Sequence, residues 1–120
     1  MGLTIGSIGA ETVQNITFRN AYMHHTEKGI YMKFRGDGGV IKDITYENIV
    51  MDAPEQYAIW IGPAQQSDSR QLCAAHPCSL CWPVDPWAKC DAADSLYENI
   101  MIRNVTVNNA KRSPGVIIAS

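Results

Sequence analysis

Little in this chain points to nucleic acid or membrane. Only 18% of the 120 residues are charged, and ten Lys or Arg against twelve Asp or Glu leave a formal net charge of −2. No basic stripe or patch is large enough to track a nucleic-acid backbone, so no nucleic-acid partner is expected. Long hydrophobic runs are missing as well. The longest are a few residues, against the roughly 20 that a membrane helix needs, so no membrane partner is expected. No stretch holds a convincing amphipathic helix. There is no signal peptide, because "GLTIGSIG" follows Met1 at once and reads as a strand and turn. Such a start fits a mature secreted chain, a fragment, or a gene model cut short.

Cysteine is absent everywhere except in one place. Cys73, Cys78, Cys81 and Cys90 lie together in a stretch rich in Pro and Trp. The cluster reads as a stapled loop made in an oxidising compartment, which places the chain outside the cell or in the secretory pathway. Four cysteines allow three pairings, and the sequence does not choose among them. The rival reading is a zinc knuckle from "CAAHPCSLC" with His76, although C-x4-C-x2-C-x8-C fits no standard zinc spacing well. No cofactor and no metal is expected.

What the chain does have is repetition. "NITFRN" starts at Asn15, "DITYEN" at Asp43 and "NIMIRN" at Asn99, so the steps are 28 residues and twice 28. A second series interleaves with it: "GLTIG" at Gly2, "GIYMK" at Gly29, "AIWIG" at Ala58 and "GVIIA" at Gly115. Each segment alternates apolar and polar residues and is rich in Ile, Val, Thr, Tyr and Phe, the chemistry of strands. Units too short to be domains, repeating at a fixed period, predict a solenoid. The expectation is one all-β domain over residues 1–120, a parallel β-helix of three to four coils. Residues 63–95 break the rhythm and read as a disulfide-stapled insert. The period stacks Asn20, Asn48 and Asn104 in a column, where Asn tolerates a left-handed turn and hydrogen-bonds along the axis. Asn15-Ile16-Thr17 and Asn104-Val105-Thr106 are glycosylation sequons. Asn15 is disfavoured as an acceptor by its place inside a strand.

The segments "GLTIGSIG" and "VQNITFRNAYMHHTEKGIYMKFRGDGGVIKDITYENIVM" resemble the C-terminal half of polygalacturonase-like enzymes, glycoside hydrolase family twenty-eight of the pectin-lyase-like superfamily. The resemblance covers residues 2–61 closely and 95–118 more loosely. It implies a right-handed parallel β-helix and hydrolysis of a pectic or similar acidic polysaccharide, so the implied partner is a uronate-containing polysaccharide. It also implies that the family's catalytic Asp motifs fall upstream of Gly2, and that the His of its Gly-His-Gly element falls where Met1 stands. No catalytic residue is therefore assigned in this chain. The family's Arg-Ile-Lys motif aligns with Tyr31-Met32-Lys33, which keeps Lys33 and has Tyr31 in place of the Arg.

An internal substitute for the missing pair is not expected. Inverting hydrolysis needs two carboxylates roughly 6.5–9.5 Å apart across the bond. Glu27, Asp37, Asp43, Asp52 and Glu55 read as turn or repeat residues, none of them paired on the face that carries Lys33.

Strand alternation points Leu3, Ile30 and Ile59 inward, together with Ile5, Met32 and Ile61. Thr4, Tyr31, Trp60 and Ile117 then form one outward row, and Gly6, Lys33, Gly62 and Ala119 the next. Exposed Tyr31 and Trp60 beside Lys33 suit a sugar acid, with rings on the pyranose face and the ammonium on its carboxylate. The competing reading is that the two rings pack under the 63–95 insert. His24-His25 reads as a solvated turn, because neighbours on a strand point to opposite faces and do not share a ligand. Arg19, Arg35 and Arg103 read as surface charges. The expected function is that of a polygalacturonase-like glycosidase fragment, inactive alone. The alternative is a non-catalytic carbohydrate-binding or structural module that forms homo-oligomers through its β-helix ends.

Overall fold

The computed structural model describes residues 1–34, 38–65, 71, 81–82 and 95–118, without the side chains of 63–65, 81–82 and 114–118. Its elements are all strands: β1 (Leu3–Ile8), β2 (Thr12–His24), β3 (Lys28–Phe34), β4 (Val40–Asp52), β5 (Tyr57–Gln65), β6 (Cys81–Trp82), β7 (Leu96–Asn108) and β8 (Ser113–Ile118). They form two sheets. One runs β1-β3-β5-β6 with β8 also pairing β5, and the other runs β2-β4-β7. Every pairing is parallel. From β1 to β5 the chain passes alternately between the sheets, as it does again from β7 to β8, an architecture compatible with a parallel β-helix.

The repeat seen in the sequence is the register of the second sheet. Ile16 pairs with Ile44 and Ile44 with Ile100; His24 pairs with Asp52 and Asp52 with Asn108. Each residue lies over its counterpart one repeat away, so equivalent side chains stack. The same holds in the first sheet for Leu3, Ile30 and Ile59 and for Ile5, Met32 and Ile61. Ile5, Ile30, Met32, Ile59 and Ile61 are buried, as alternation requires.

The second sheet departs from simple alternation for a definite reason. Asn15, Asn20 and His25 all have φ between 54° and 58°. So do their counterparts: Asp43, Asn48 and Ala53 lie at 55°, 54° and 52°, and Asn99, Asn104 and Asn109 at 53°, 51° and 54°. Every fifth residue is left-handed. Each such residue turns the chain and resets which side faces inward. The inward positions on β4 are therefore Ile41, Ile44, Tyr46, Ile49 and Met51, all fully buried, with steps of three and two rather than a constant two. Val13, Ile16, Phe18, Ala21 and Met23 on β2, and Tyr97, Ile100, Ile102, Val105 and Val107 on β7, pack against them in the same pattern.

Left-handed backbone costs an ordinary L-residue about 1–2 kcal/mol. Asn and Asp lower that cost with a short polar side chain that hydrogen-bonds locally. Here they also bond between stacked strands. Asn48 Nδ2 donates to Asn20 Oδ1 at 3.1 Å, and Asn104 Nδ2 donates to Asn48 Oδ1 at 2.6 Å. The neighbouring column has Asn99 Nδ2 donating to Asp43 Oδ1 at 2.8 Å.

Inside, Phe18 stacks on Tyr46 with ring centroids 5.0 Å apart. Tyr97 crosses the core from the second sheet to the first. Its hydroxyl lies 3.1 Å from the Met32 carbonyl and 2.9 Å from that of Gly62, and its ring meets Phe34 at 4.7 Å. Burial raises the affinity of the Tyr97 phenol for its proton, against the opposing pull of the Gly62 carbonyl bond. Tyr46 is pushed up by burial too, and its hydroxyl is buried without a partner. Most of the expected 63–95 insert, together with Arg35 and Asp37, lies outside the described residues, as do the side chains of Cys73, Cys78, Cys81 and Cys90.

Candidate functional site

The row of interest is built by β1, β3, β5 and β8. Register places Thr4 beside Tyr31, Tyr31 beside Trp60 and Trp60 beside Ile117, as the sequence predicts. Lys33 lies beside Gly62. Gly6 departs from the expected next row. The β1–β3 register shifts between Ile5 and Ile8, and Gly6 takes φ +105°. A Cβ there would sit 2.1 Å from the Lys33 carbonyl oxygen. Only glycine lets the backbone approach Lys33 this closely, so Gly6 fixes the Lys33 main chain rather than leaving space around it.

The exposure expected of this row is corrected by the structure. Tyr31 and Trp60 have no exposed surface, and Lys33 has 7%. Strand alternation fixes the side of the sheet to which a residue points. It does not say what lies against that side, and this outward face is covered.

The same face holds a residue that sequence reasoning missed. Lys28, at the start of β3, is fully buried, with its Nζ 4.9 Å from the Tyr31 ring centroid. The Nζ of Lys33 is 4.7 Å from the same centroid. Two ammonium groups therefore share one aromatic ring, an arrangement that cation–π attraction supports. Lys28 is three positions from Tyr31, an odd step that alternation assigns to the opposite face, so the periodicity concealed it. Tyr57 completes the group, its ring 5.2 Å from that of Trp60. Of these two cations Lys33 keeps some exposed surface and Lys28 keeps none, so Lys33 is the one placed to face a carboxylate-bearing ligand.

A second polar cluster lies where β2 and β4 end. His24 Nδ1 is 2.8 Å from Asp52 Oδ2, and His25 Nδ1 is 2.9 Å from Glu55 Oε1. The two imidazoles meet edge to face at 4.0 Å. The expectation that adjacent histidines point apart is corrected here. His25 sits in the left-handed region at φ 54°, outside strand geometry, and this brings the rings together. Both are about half exposed. Asn109 Nδ2 donates to Asp52 Oδ1 at 2.8 Å, and this bond is the largest influence holding the Asp52 carboxyl below its ordinary range. Among the described residues, no three His, Cys, Asp or Glu side chains are grouped to hold a metal ion.

Three further carboxylates among the described residues have partners elsewhere. Glu47 is held by Arg19 at 3.1 Å and Arg103 at 3.9 Å, so two arginines read as separate surface charges share one partner across three stacked strands. Asp43 accepts from Asn99, and Glu11 from the Gly9 amide. Asp52 and Glu55 belong to the histidine cluster.

Parallel sheets stacked in a residue-by-residue register are compatible with a parallel β-helix. Comparison with known proteins gives the family. Residues 1–78 match the model of glycosyl hydrolases family 28, and the chain belongs to that family. It is 39% identical over 64 residues to endopolygalacturonase A of Aspergillus awamori and to a probable endopolygalacturonase A of Aspergillus niger. It is 34% identical over 64 residues to endopolygalacturonase II of Aspergillus niger. These matches cover 50% of this chain, and the chain spans only 17–18% of the relatives' length. No solved structure matches at comparable significance.

Proposed function

We propose that this chain forms substrate-binding coils of a polygalacturonase-like glycosidase that acts on a pectic or similar uronate polysaccharide, and that it does not hydrolyse its substrate alone. The observation that carries the reading is the row in which Lys33, aligned with the family's carboxylate-contacting Lys, lies in register beside Gly62 and against Tyr31. In this reading Tyr31, Lys33 and Trp60 remain the binding residues, with roles revised by their burial. Lys33, which keeps 7% of its surface, is the member of the row that meets the sugar carboxylate, while buried Tyr31 orients its ammonium and buried Trp60 backs Tyr31. The coil is right-handed, of three to four turns, and the protein works outside the cell. There two disulfides among Cys73, Cys78, Cys81 and Cys90 staple the 63–95 segment, a pairing that mass mapping of the unreduced protein tests.

The lack of hydrolysis rests on the carboxylates. Among the described residues, Glu11, Asp43, Glu47, Asp52 and Glu55 are engaged away from the lysine–aromatic row. Each general acid or base contributes about 10²–10⁴-fold to rate, so in this reading, with no such pair on the row, no measurable turnover is expected. The test is a reducing-end assay on polygalacturonate. The reading requires release no faster than a heat-killed control. Turnover abolished by replacing one Asp or Glu of this chain would show that it carries its own catalytic pair.

A further inference from the structure

We propose that His24 and His25 form a two-imidazole site for a divalent transition-metal ion of the copper, nickel and zinc group, with Cu²⁺ held most tightly. Neighbouring residues on a plain strand point to opposite faces and do not share a ligand. Here the strand geometry is broken at the pair. His25 takes left-handed backbone at φ 54°, and the two rings meet with centroids 4.0 Å apart. Both side chains are about half exposed, so an ion reaches them from solvent.

The ring nitrogens are already arranged for this. His24 Nδ1 lies 2.8 Å from Asp52 Oδ2, and His25 Nδ1 lies 2.9 Å from Glu55 Oε1. An ionised carboxylate only accepts, so each Nδ1 carries the proton and donates it. The lone pair of each neutral ring then sits on Nε2. Among the described residues, neither Nε2 has a protein partner. A carboxylate behind an imidazole fixes its tautomer and orientation and makes it a better ligand. Asp52 is held in its turn, because Asn109 Nδ2 donates to its other oxygen at 2.8 Å. The carboxylates are thus committed behind the rings, and the ion takes the two Nε2 atoms.

The donor set decides the class of ion. Imidazole suits zinc, copper and nickel, and a given nitrogen site binds Cu²⁺ ahead of the other two. Among the described residues, no third His, Cys, Asp or Glu is placed with the pair to hold an ion. Water therefore completes the coordination. The inference does not rest on sugar binding, and its test does not involve a sugar.

The experiment titrates CuCl₂ into the whole chain by isothermal calorimetry, with free thiols alkylated so that Cys73, Cys78, Cys81 and Cys90 do not compete. Pulsed electron paramagnetic resonance on the complex counts the bound imidazoles through their uncoordinated nitrogens. The expected result is one ion per chain, held by two imidazoles. His24→Ala and His25→Ala should each weaken binding by about tenfold or more and leave a single imidazole. His25→Ala is expected to fold, because Ala53 holds the equivalent left-handed position on β4 at φ 52°. Asp52→Asn keeps the shape and removes the charge, and it should weaken binding by about tenfold. His76→Ala should leave binding unchanged. Failure of Cu²⁺ to saturate the wild-type chain, a single imidazole in its complex, or loss of binding in His76→Ala overturns the proposal. So does full affinity in His24→Ala, His25→Ala or Asp52→Asn.

Discussion

Asn104 Nδ2 donates to Asn48 Oδ1 at 2.6 Å while both residues hold left-handed backbone, at φ 51° and 54°. One residue type thus satisfies two demands, a turn at every fifth position and a bond between stacked strands. Asn48 is the middle member and makes both bonds of the column. Replacing it with Ala removes two hydrogen bonds, at about 0.5–1.5 kcal/mol each. It also leaves an Ala in a region that costs about 1–2 kcal/mol. The expected loss for Asn48→Ala is about 2–5 kcal/mol in urea unfolding, with Asn48→Gly losing less because glycine accepts the backbone. Equal losses for the two would mean that the left-handed turn carries no cost here.

Gly6 is expected to tolerate no side chain. A Cβ would lie 2.1 Å from the Lys33 carbonyl, at φ +105°. Backbone strain and overpacking of this kind cost about 1–3 kcal/mol each. Gly6→Ala should lower the urea midpoint without changing the slope and should shift the Lys33 amide resonance. A variant as stable as wild type would show that β1 does not pack against β3 as described.

Tyr97 ties the two sheets together through one hydroxyl. Tyr97→Phe keeps the ring against Phe34 and removes the donor to the Met32 and Gly62 carbonyls. Losing a buried hydrogen bond of this kind costs about 0.5–1.5 kcal/mol. Equilibrium unfolding measures the loss, and faster amide exchange around Gly62 locates it.

Asp52 sets an acid-side dependence. Its carboxyl is held below the ordinary carboxylate range, first by Asn109 and then by His24. A carboxylate with a depressed folded-state pKa contributes stability above its unfolded value, and that stability is lost as the pH falls through the folded value. Carboxyl-carbon NMR titration should find the Asp52 midpoint below the ordinary carboxylate range in the wild type. In Asn109→Ala it should move up toward the ordinary range. An unmoved midpoint would mean that Asn109 does not bond the carboxylate in solution.

The stacking was legible in the sequence because a fixed 28-residue step makes equivalent residues neighbours, and the Asn20–Asn48–Asn104 column follows directly. The other two columns were harder to see. His25 and Ala53 carry no turn chemistry of their own, and they adopt left-handed backbone because the adjoining positions in register require it. The inward pattern of three and two departs from the plain alternation expected of each segment. In the candidate site, register was readable and burial was not. Tyr31 and Trp60 were placed on the correct row, but a strand pattern cannot report what covers it. Lys28 escaped for the related reason that its step of three to Tyr31 contradicts a period of two. Family membership came from motif order and spacing, which matched over the first 78 residues.

The central claim is that Lys33 meets a sugar carboxylate in a chain that binds without cleaving. Isothermal titration of the chain with a galacturonate oligomer, repeated with its methyl ester and with Lys33→Met, tests it most directly. The account requires saturable binding to the free acid, weaker by tenfold or more for the ester and for Lys33→Met, with the oligomer recovered intact. Equal affinity for acid and ester, or for wild type and Lys33→Met, would contradict it.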